Sequence, residues 1–163
     1  PSAETLRQRM DDIGSSLRKN ILDANVEMFH TYNIEPTPIS EEFVPVDLDV
    51  TPMDNSKTHK EGVSYTYKGF FGYAPMMAYI GAEGFLVNTE LREGSQHCQC
   101  NTPAFLSETL NYRHQLTKKQ LLVRMDSGND AAENLGILIE DGSWFIVKRN
   151  LRRGESCCGQ AFL

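Results

Sequence analysis

The 163-residue sequence contains no apolar run close to the ~20 residues that cross a bilayer, so neither a membrane span nor a membrane partner is expected. It opens on PSAETLRQRM, polar from the first residue and without the apolar stretch of a secretion signal. A cytoplasmic location and reduced thiols follow as the expectation. No initiating Met begins the chain, which therefore reads as an internal piece of a longer protein. No C-x-x-C pair occurs. The four cysteines fall as CQC (Cys98, Cys100) and as the adjacent Cys157 and Cys158, spacings that do not suit a zinc site. The positive excess of a protein that simply wraps nucleic acid is also missing, because the formal net charge is −6. Internal repeats and low-complexity tracts are absent.

What is present is an ordinary globular composition, 40% hydrophobic and 23% charged, in a chain long enough for one real core. The charge is uneven. Many of the acids lie in the first 42 residues; Lys57, Lys60 and Lys68 come later, and KRNLRR at 148–153 is densely basic. Residues 1–33 read as helical, with Gly14 as a break, Ser16 as an N-cap, and Leu17, Ile21, Ala24 and Met28 at helical spacing. NIEPTPIS, with its two prolines, is a linker. Residues 1–39 thus form an N-terminal helical segment and linker, an appendage to the domain that follows.

In FVPVDLDVT, Val44, Val46, Leu48 and Val50 alternate with Pro45, Asp47, Asp49 and Thr51, which is strand period. Residues 62–92 offer no helix. GVSYTYKGF is β-rich, and PMMAYIG and GFLVNTELR flank an AEG turn. Residues 43–51, 62–71 and 76–92 are expected as adjacent antiparallel strands. TPAFLSETLNYRHQL (102–116) then predicts a helix with Pro in its first turn. QLLVRMDSG predicts a strand ending at Asp126. NDAAENLGILIEDG predicts a helix capped by Asn129 or Asp130 and stopped near Gly142, and SWFIVKR a last strand. The fold class is a mixed α/β sheet, three antiparallel strands followed by αβαβ, with helices on its faces.

Asp47 and Asp49 share one face of an otherwise apolar strand, and a carboxylate there needs a partner. Asp126 ends a later strand, and α/β sheets build their sites at strand ends. Converging carboxylates suit Mg²⁺ or Mn²⁺. Two such ions about 3.5–4 Å apart can clamp the attacking and leaving oxygens of a phosphoryl transfer. The plainer alternative is surface pairing of a single Asp with Lys60 or Arg124. Asp54 and Asp130 read as turn and cap residues. A calcium loop in DLDVTPMDN fails, because Pro52 and Thr58 stand where such a loop needs Gly and Glu.

VDLDVTPMDNSKTHKEGVSYTYKGFFGYAPMMAYIG, then NTELREGSQHCQ, TPAFLSETL and LLVRMDSGND, resembles the transposases of bacterial insertion sequences. Those enzymes carry an acidic DDE triad on a ribonuclease H-like fold. The resemblance implies a first metal-binding, catalytic Asp on the first strand in Asp-x-Thr, which Asp49 and Thr51 match, with Asp47 as competitor. It implies Asp126 as the second catalytic and metal-binding acid. A third acid, a Glu, would come from a helix beyond the fifth strand. Glu155 is the only acid left, in RRGESCCGQAFL, which has no apolar stripe to dock a helix. The catalytic domain is therefore expected over 40–163, truncated before its third acid.

The reaction implied is Mg²⁺- or Mn²⁺-dependent hydrolysis at the transposon end followed by strand transfer to target DNA. Transposon-end and target DNA are the implied partners, with a possible homodimer on them. Lys57, Lys60, Lys68 and the basic run Arg149–Arg153 would touch phosphates. Two rivals remain open. DLDVT and DSGND also fit a haloacid dehalogenase-type phosphatase, with Asp47 as nucleophile, Asp49 as acid/base, Asp126 on Mg²⁺, and Thr89 and Lys118 as intermediate motifs. A non-catalytic DNA-binding fragment is the other.

Overall fold

The protein's structure, a computed structural model, describes residues 2–149. Helix α1 runs unbroken over Ala3–Thr31, capped by Ser2, whose hydroxyl accepts from the Thr5 amide at 3.2 Å. Gly14 does not interrupt it, since a helical Gly costs only about 1 kcal/mol relative to Ala. Ser16 caps nothing; its hydroxyl donates back to the Ile13 carbonyl at 3.1 Å. The buried stripe is Leu22, Val26 and Phe29, while Ile21 and Met28 face solvent. Arg18 helps to turn that face inward. Its guanidinium bonds the Glu108 carboxylate, the Thr89 carbonyl and, at 2.7 Å, the Asn88 side chain. The second half of α1 is thus part of the core, and only its first half projects as an appendage.

The central strand β1 (Phe43–Val50) lies in a five-stranded sheet with β5 (Met76–Ile80), β6 (Phe85–Glu90), β7 (Gln120–Met125) and β8 (Trp144–Val147), in the order β6-β5-β1-β7-β8. Strands β1, β5 and β6 are antiparallel neighbours, and β7 and β8 add in parallel. The parallel strands are reached through α2 (Thr102–Leu116) and α3 (Ala132–Asp141). This is the ribonuclease H-like arrangement. Pro45 is tolerated because the pairing with β5 begins only at Val46.

Residues 62–71 do not join this sheet. They supply β3 (Ser64–Tyr65), which pairs with β4 (Phe71–Tyr73) in a separate small sheet beside β2 (Met53–Asp54), in the order β2-β4-β3. Gly62 and Gly69 take φ of +76° and +88° and turn the chain on both sides of Ser64–Tyr65, so the alternating run cannot stay extended. The third antiparallel strand of the main sheet comes instead from the hairpin β5–β6.

The inward side chains Val44, Val46, Ala78, Ile80, Leu121 and Val123 pack in one core with residues of all three helices. Helices therefore cover one face of the sheet rather than both among the described residues. On the other face Trp144 and Ile146 are exposed. Helix α3 stops at Gly142 (φ +74°), as expected, but its N-cap is Ala131. Asn129 and Asp130 do not cap it, because Ser127–Asn129 form a short 3₁₀ turn first.

The antiparallel β5 beside β1 removes the phosphatase alternative, whose strands are parallel and joined by helices. Thr89 lies on β6, one strand removed from β1, and Lys118 precedes β7 at the opposite end of the sheet from Asp126. No helix among the described residues is long and apolar enough to cross a membrane.

Candidate active site

The site grows from the parallel register of β1 and β7. The pairing runs from Phe43 opposite Gln120 to Leu48 opposite Met125. Asp47 therefore stands opposite Arg124, and the two form a bidentate pair with Nε–Oδ1 and Nη2–Oδ2 both at 2.5 Å. The hydrogen bonds to Asp47 hold the Arg124 pKa above its ordinary value. One step beyond the last registered pair come Asp49 and Asp126, on strands whose backbones lie about 4.8 Å apart. Leu48 and Met125 point inward, so Asp49 and Asp126 emerge on the outer face, and both are exposed.

The two carboxylates differ in how they are held. Oδ1 of Asp126 accepts from the Gly128 amide at 3.1 Å and from Asn129 Nδ2 at 2.8 Å. Oδ2 keeps its lone pairs free of protein donors among the described residues. Asn129 is fully buried, and its carbonyl accepts from Asn134 Nδ2 at 2.9 Å. Asn134 also donates to Gln99 Oε1 at 3.0 Å, while Gln99 Nε2 and the Cys98 thiol both donate to the Gly128 carbonyl, at 2.5 and 3.0 Å. Asp126 thus rests on a layer of amides reaching back to the CQC segment. The sequence pattern offers Asn129 or Asp130 as a helix cap, whereas the structure turns the Asn129 side chain to Asp126. The signal that could have found it is Asn three residues after an Asp at a strand end. Asp49 has no hydrogen-bond or ion-pair partner among the described residues.

Asp126 opens into a cleft of about 640 Å³ with Val50, Tyr67, Gln96, His97 and Gly128 on its walls. The Tyr67 hydroxyl donates to the Val50 carbonyl at 3.4 Å. Burial, then the charges of Asp49 and Asp126, raise the pKa of this phenol above its ordinary value. No group of three or more His, Cys, Asp or Glu side chains gathers as a metal site among the described residues.

Other predicted residues take simpler roles. Asp54 accepts from the Ser56 amide and hydroxyl, at 2.8 and 2.6 Å, and these bonds lower its pKa. Lys57, Lys60 and Lys68 are exposed on the segment that carries the small sheet. Lys148 is exposed beside Met125, to whose carbonyl its amide donates at 3.2 Å. Arg152, Arg153 and Glu155 lie outside the described residues.

Residues 4–151 match the family model described as transposase DDE domain group 1. No curated protein matches the chain. Among solved structures, the chain is similar to one in the cryo-EM structure of the piggyBac transposase synaptic complex with hairpin DNA. Sequence identity there is 11% and the TM-score 0.39, over 90% of this chain and 32% of that one. The present chain thus spans well under two thirds of that relative's length.

Proposed function

The chain belongs to the DDE transposase domains of group 1, and on that premise we propose that it carries the Asp49–Asp126 part of a metal-dependent phosphoryl-transfer site acting on DNA. The proposed reactions are hydrolysis at a transposon end and strand transfer of the resulting 3′-hydroxyl to target DNA. An insertion-sequence source, and a homodimer holding two ends, belong to the same proposal. So does a catalytic domain over residues 40–163, against which the second half of α1 packs.

One observation carries the assignment: the β1–β7 register pairs Asp47 with Arg124 and leaves Asp49 and Asp126 next in line at the same strand ends. The donor set fits Mg²⁺ or Mn²⁺. Both groups are hard oxygen ligands; Asp126 is pre-oriented through Oδ1 with Oδ2 left over, and Asp49 has no competing cation among the described residues. Two carboxylates alone leave most of an octahedral shell to water and substrate phosphate, as Mg²⁺ sites commonly do. When bound, such ions supply Lewis-acid stabilisation of an in-line displacement at phosphorus.

The chain's own groups supply the rest. Asp49 and Asp126 carry the negative charge that gathers the cations. Arg124 neutralises Asp47, so the neighbouring strand position does not compete. Lys148 and the lysines of the 51–75 segment stand ready for phosphate oxygens. Calorimetric titration with Mn²⁺ tests the assignment: wild type should bind, and Asp126→Asn should lose most of the heat. Equal heats from the two proteins would remove Asp126 from the site.

A further inference from the structure

Between β1 and β5 the chain makes a long excursion, residues 51–75, where a hairpin of two to five residues would serve. It folds into the small sheet β2-β4-β3 and is fastened to the segment after β6. Tyr73 bridges Glu93, Ala74 N donates to the Arg92 carbonyl at 2.9 Å, and Ser95 N donates to Ser64 Oγ at 2.8 Å. Gly94 makes this docking possible, since a Cβ there would lie 2.3 Å from the Ser64 carbonyl oxygen. The excursion is therefore a built element with a fixed position.

Three of its aromatic rings are exposed. Tyr65, Tyr67 and Phe71 are 57%, 67% and 53% exposed, and Tyr65 meets Phe71 edge to face with centroids 5.4 Å apart. Tyr65 and Tyr67 line the same cleft as Asp126, and the Lys68 ammonium stands 5.3 Å from the Tyr67 ring centroid. Flat exposed rings with Lys68 among them suit a nucleobase and its phosphate better than an apolar protein surface. A base inside a duplex has both faces covered, so only an unpaired or extruded base can reach these rings.

We propose that the small sheet is a stacking platform for an unpaired nucleotide next to the phosphodiester held at Asp49 and Asp126. Tyr67, which lines the cleft with Asp126 and whose hydroxyl donates to the Val50 carbonyl next to Asp49, is the stacking ring, and Lys68 is the phosphate contact. This rests on the function proposed above and adds a substrate subsite to it. The platform favours a frayed or extruded end over an intact duplex.

The test uses the full chain, a short single-stranded oligonucleotide carrying 2-aminopurine, and the matching duplex, with chelator present to prevent cleavage. Wild type should prefer the single strand and alter the fluorescence of the stacked 2-aminopurine. Tyr67→Leu should weaken single-strand binding about tenfold and abolish the fluorescence change, while Tyr67→Phe retains both. Lys68→Gln should reduce the salt-dependence slope by about 0.7. Mn²⁺ binding should survive in all three variants, which also shows that they fold. Unchanged single-strand affinity in Tyr67→Leu, or no single-strand preference in wild type, overturns the platform. A dimer that dissociates in Tyr65→Ser or Phe71→Ser would overturn it too, making the patch a self-interface. Loss of Mn²⁺ binding in the wild type would sink the metal assignment instead, so the two failures are distinguishable.

Discussion

Arg124 grips Asp47 across the parallel pair β1 and β7 with both carboxylate oxygens engaged at 2.5 Å, while Asp49, two residues along the same face, has no such cation among the described residues. Asp47 and Asp49 are equivalent by strand period. The ion pair separates their roles. A carboxylate already bound bidentately by a guanidinium is a poor competitor for a divalent cation.

Mn²⁺ affinity should therefore separate the two aspartates. Asp49→Asn and Asp126→Asn should each weaken binding by at least about tenfold, since even a group one shell further out commonly costs that much. Asp47→Asn should leave affinity within about threefold, well below the loss of a direct ligand. Calorimetric titration of the three variants reads this directly. A larger loss from Asp47→Asn than from Asp49→Asn would reverse the assignment.

The Tyr67 phenol should report on the same pair. Its pKa is raised first by burial and then by Asp49 and Asp126, because all three disfavour the negative tyrosinate. Adding Mn²⁺, or changing Asp49 to Asn, removes negative charge and should move the pKa down toward the ordinary tyrosine value without fully reaching it. The check is an ultraviolet titration of wild type minus Tyr67→Phe, with and without the ion. An upward shift on adding Mn²⁺ would have the wrong sign.

Asn129 is expected to act through Asp126. Asn129→Ala removes the 2.8 Å donor that, with the Gly128 amide, fixes Oδ1. Metal affinity should fall about tenfold, and stability by about 1.5–3 kcal/mol because the lost hydrogen bond is to a charged group. Mn²⁺ calorimetry and urea unfolding on the same protein separate the two effects. Unchanged affinity would show that Asp126 keeps its orientation without Asn129.

Gly94→Ala should loosen the small sheet. The added methyl would meet the Ser64 and Gly72 carbonyl oxygens at 2.3 and 2.4 Å, and backbone atoms cannot swing aside as a side-chain end can. A cost of about 1–3 kcal/mol is expected from such overpacking. Proteolysis should then cut within residues 51–75 faster than in wild type. A urea midpoint equal to that of wild type would show that the segments separate freely.

The contribution of α1 can be measured at Phe29, which is 3% exposed and meets Phe85 edge to face at 5.1 Å. Phe29→Ala should cost about 3–5 kcal/mol. Met10→Ala, at an exposed position on the first half of the helix, should stay within about 0.5 kcal/mol. Equal, small effects at both sites would make the whole helix an appendage after all.

Much of the secondary structure was legible because it depends on near neighbours along the chain. Alternating apolar residues in FVPVDLDV mark β1, the AEG turn marks the hairpin β5–β6, and Pro103 and Gly142 mark where α2 begins and α3 ends. Local pattern misled where a longer-range contact prevailed. The apolar residues of α1 fit more than one stripe, and the contacts of Arg18 with Asn88 and Glu108, of Asn25 with the Leu86 carbonyl and of Asp23 with Tyr112 turn Leu22, Val26 and Phe29 inward. The β-rich run 62–71 is cut short by two glycines at positive φ and captured by Phe71–Tyr73.

By itself the sequence determined which residue types could hold a cation, that Asp47 and Asp49 share a face, and that Asp126 closes a strand. Which carboxylate is paired was decided only in three dimensions, because Arg124 lies 77 residues from Asp47 and meets it through the β1–β7 register. The same holds for Asn134 and Gln99, 35 residues apart, which support the Asp126 layer from two separate segments. Strand and helix periods arise from backbone geometry within a few residues. Ion pairs and supporting hydrogen bonds depend on which distant segments packing brings to the same strand end.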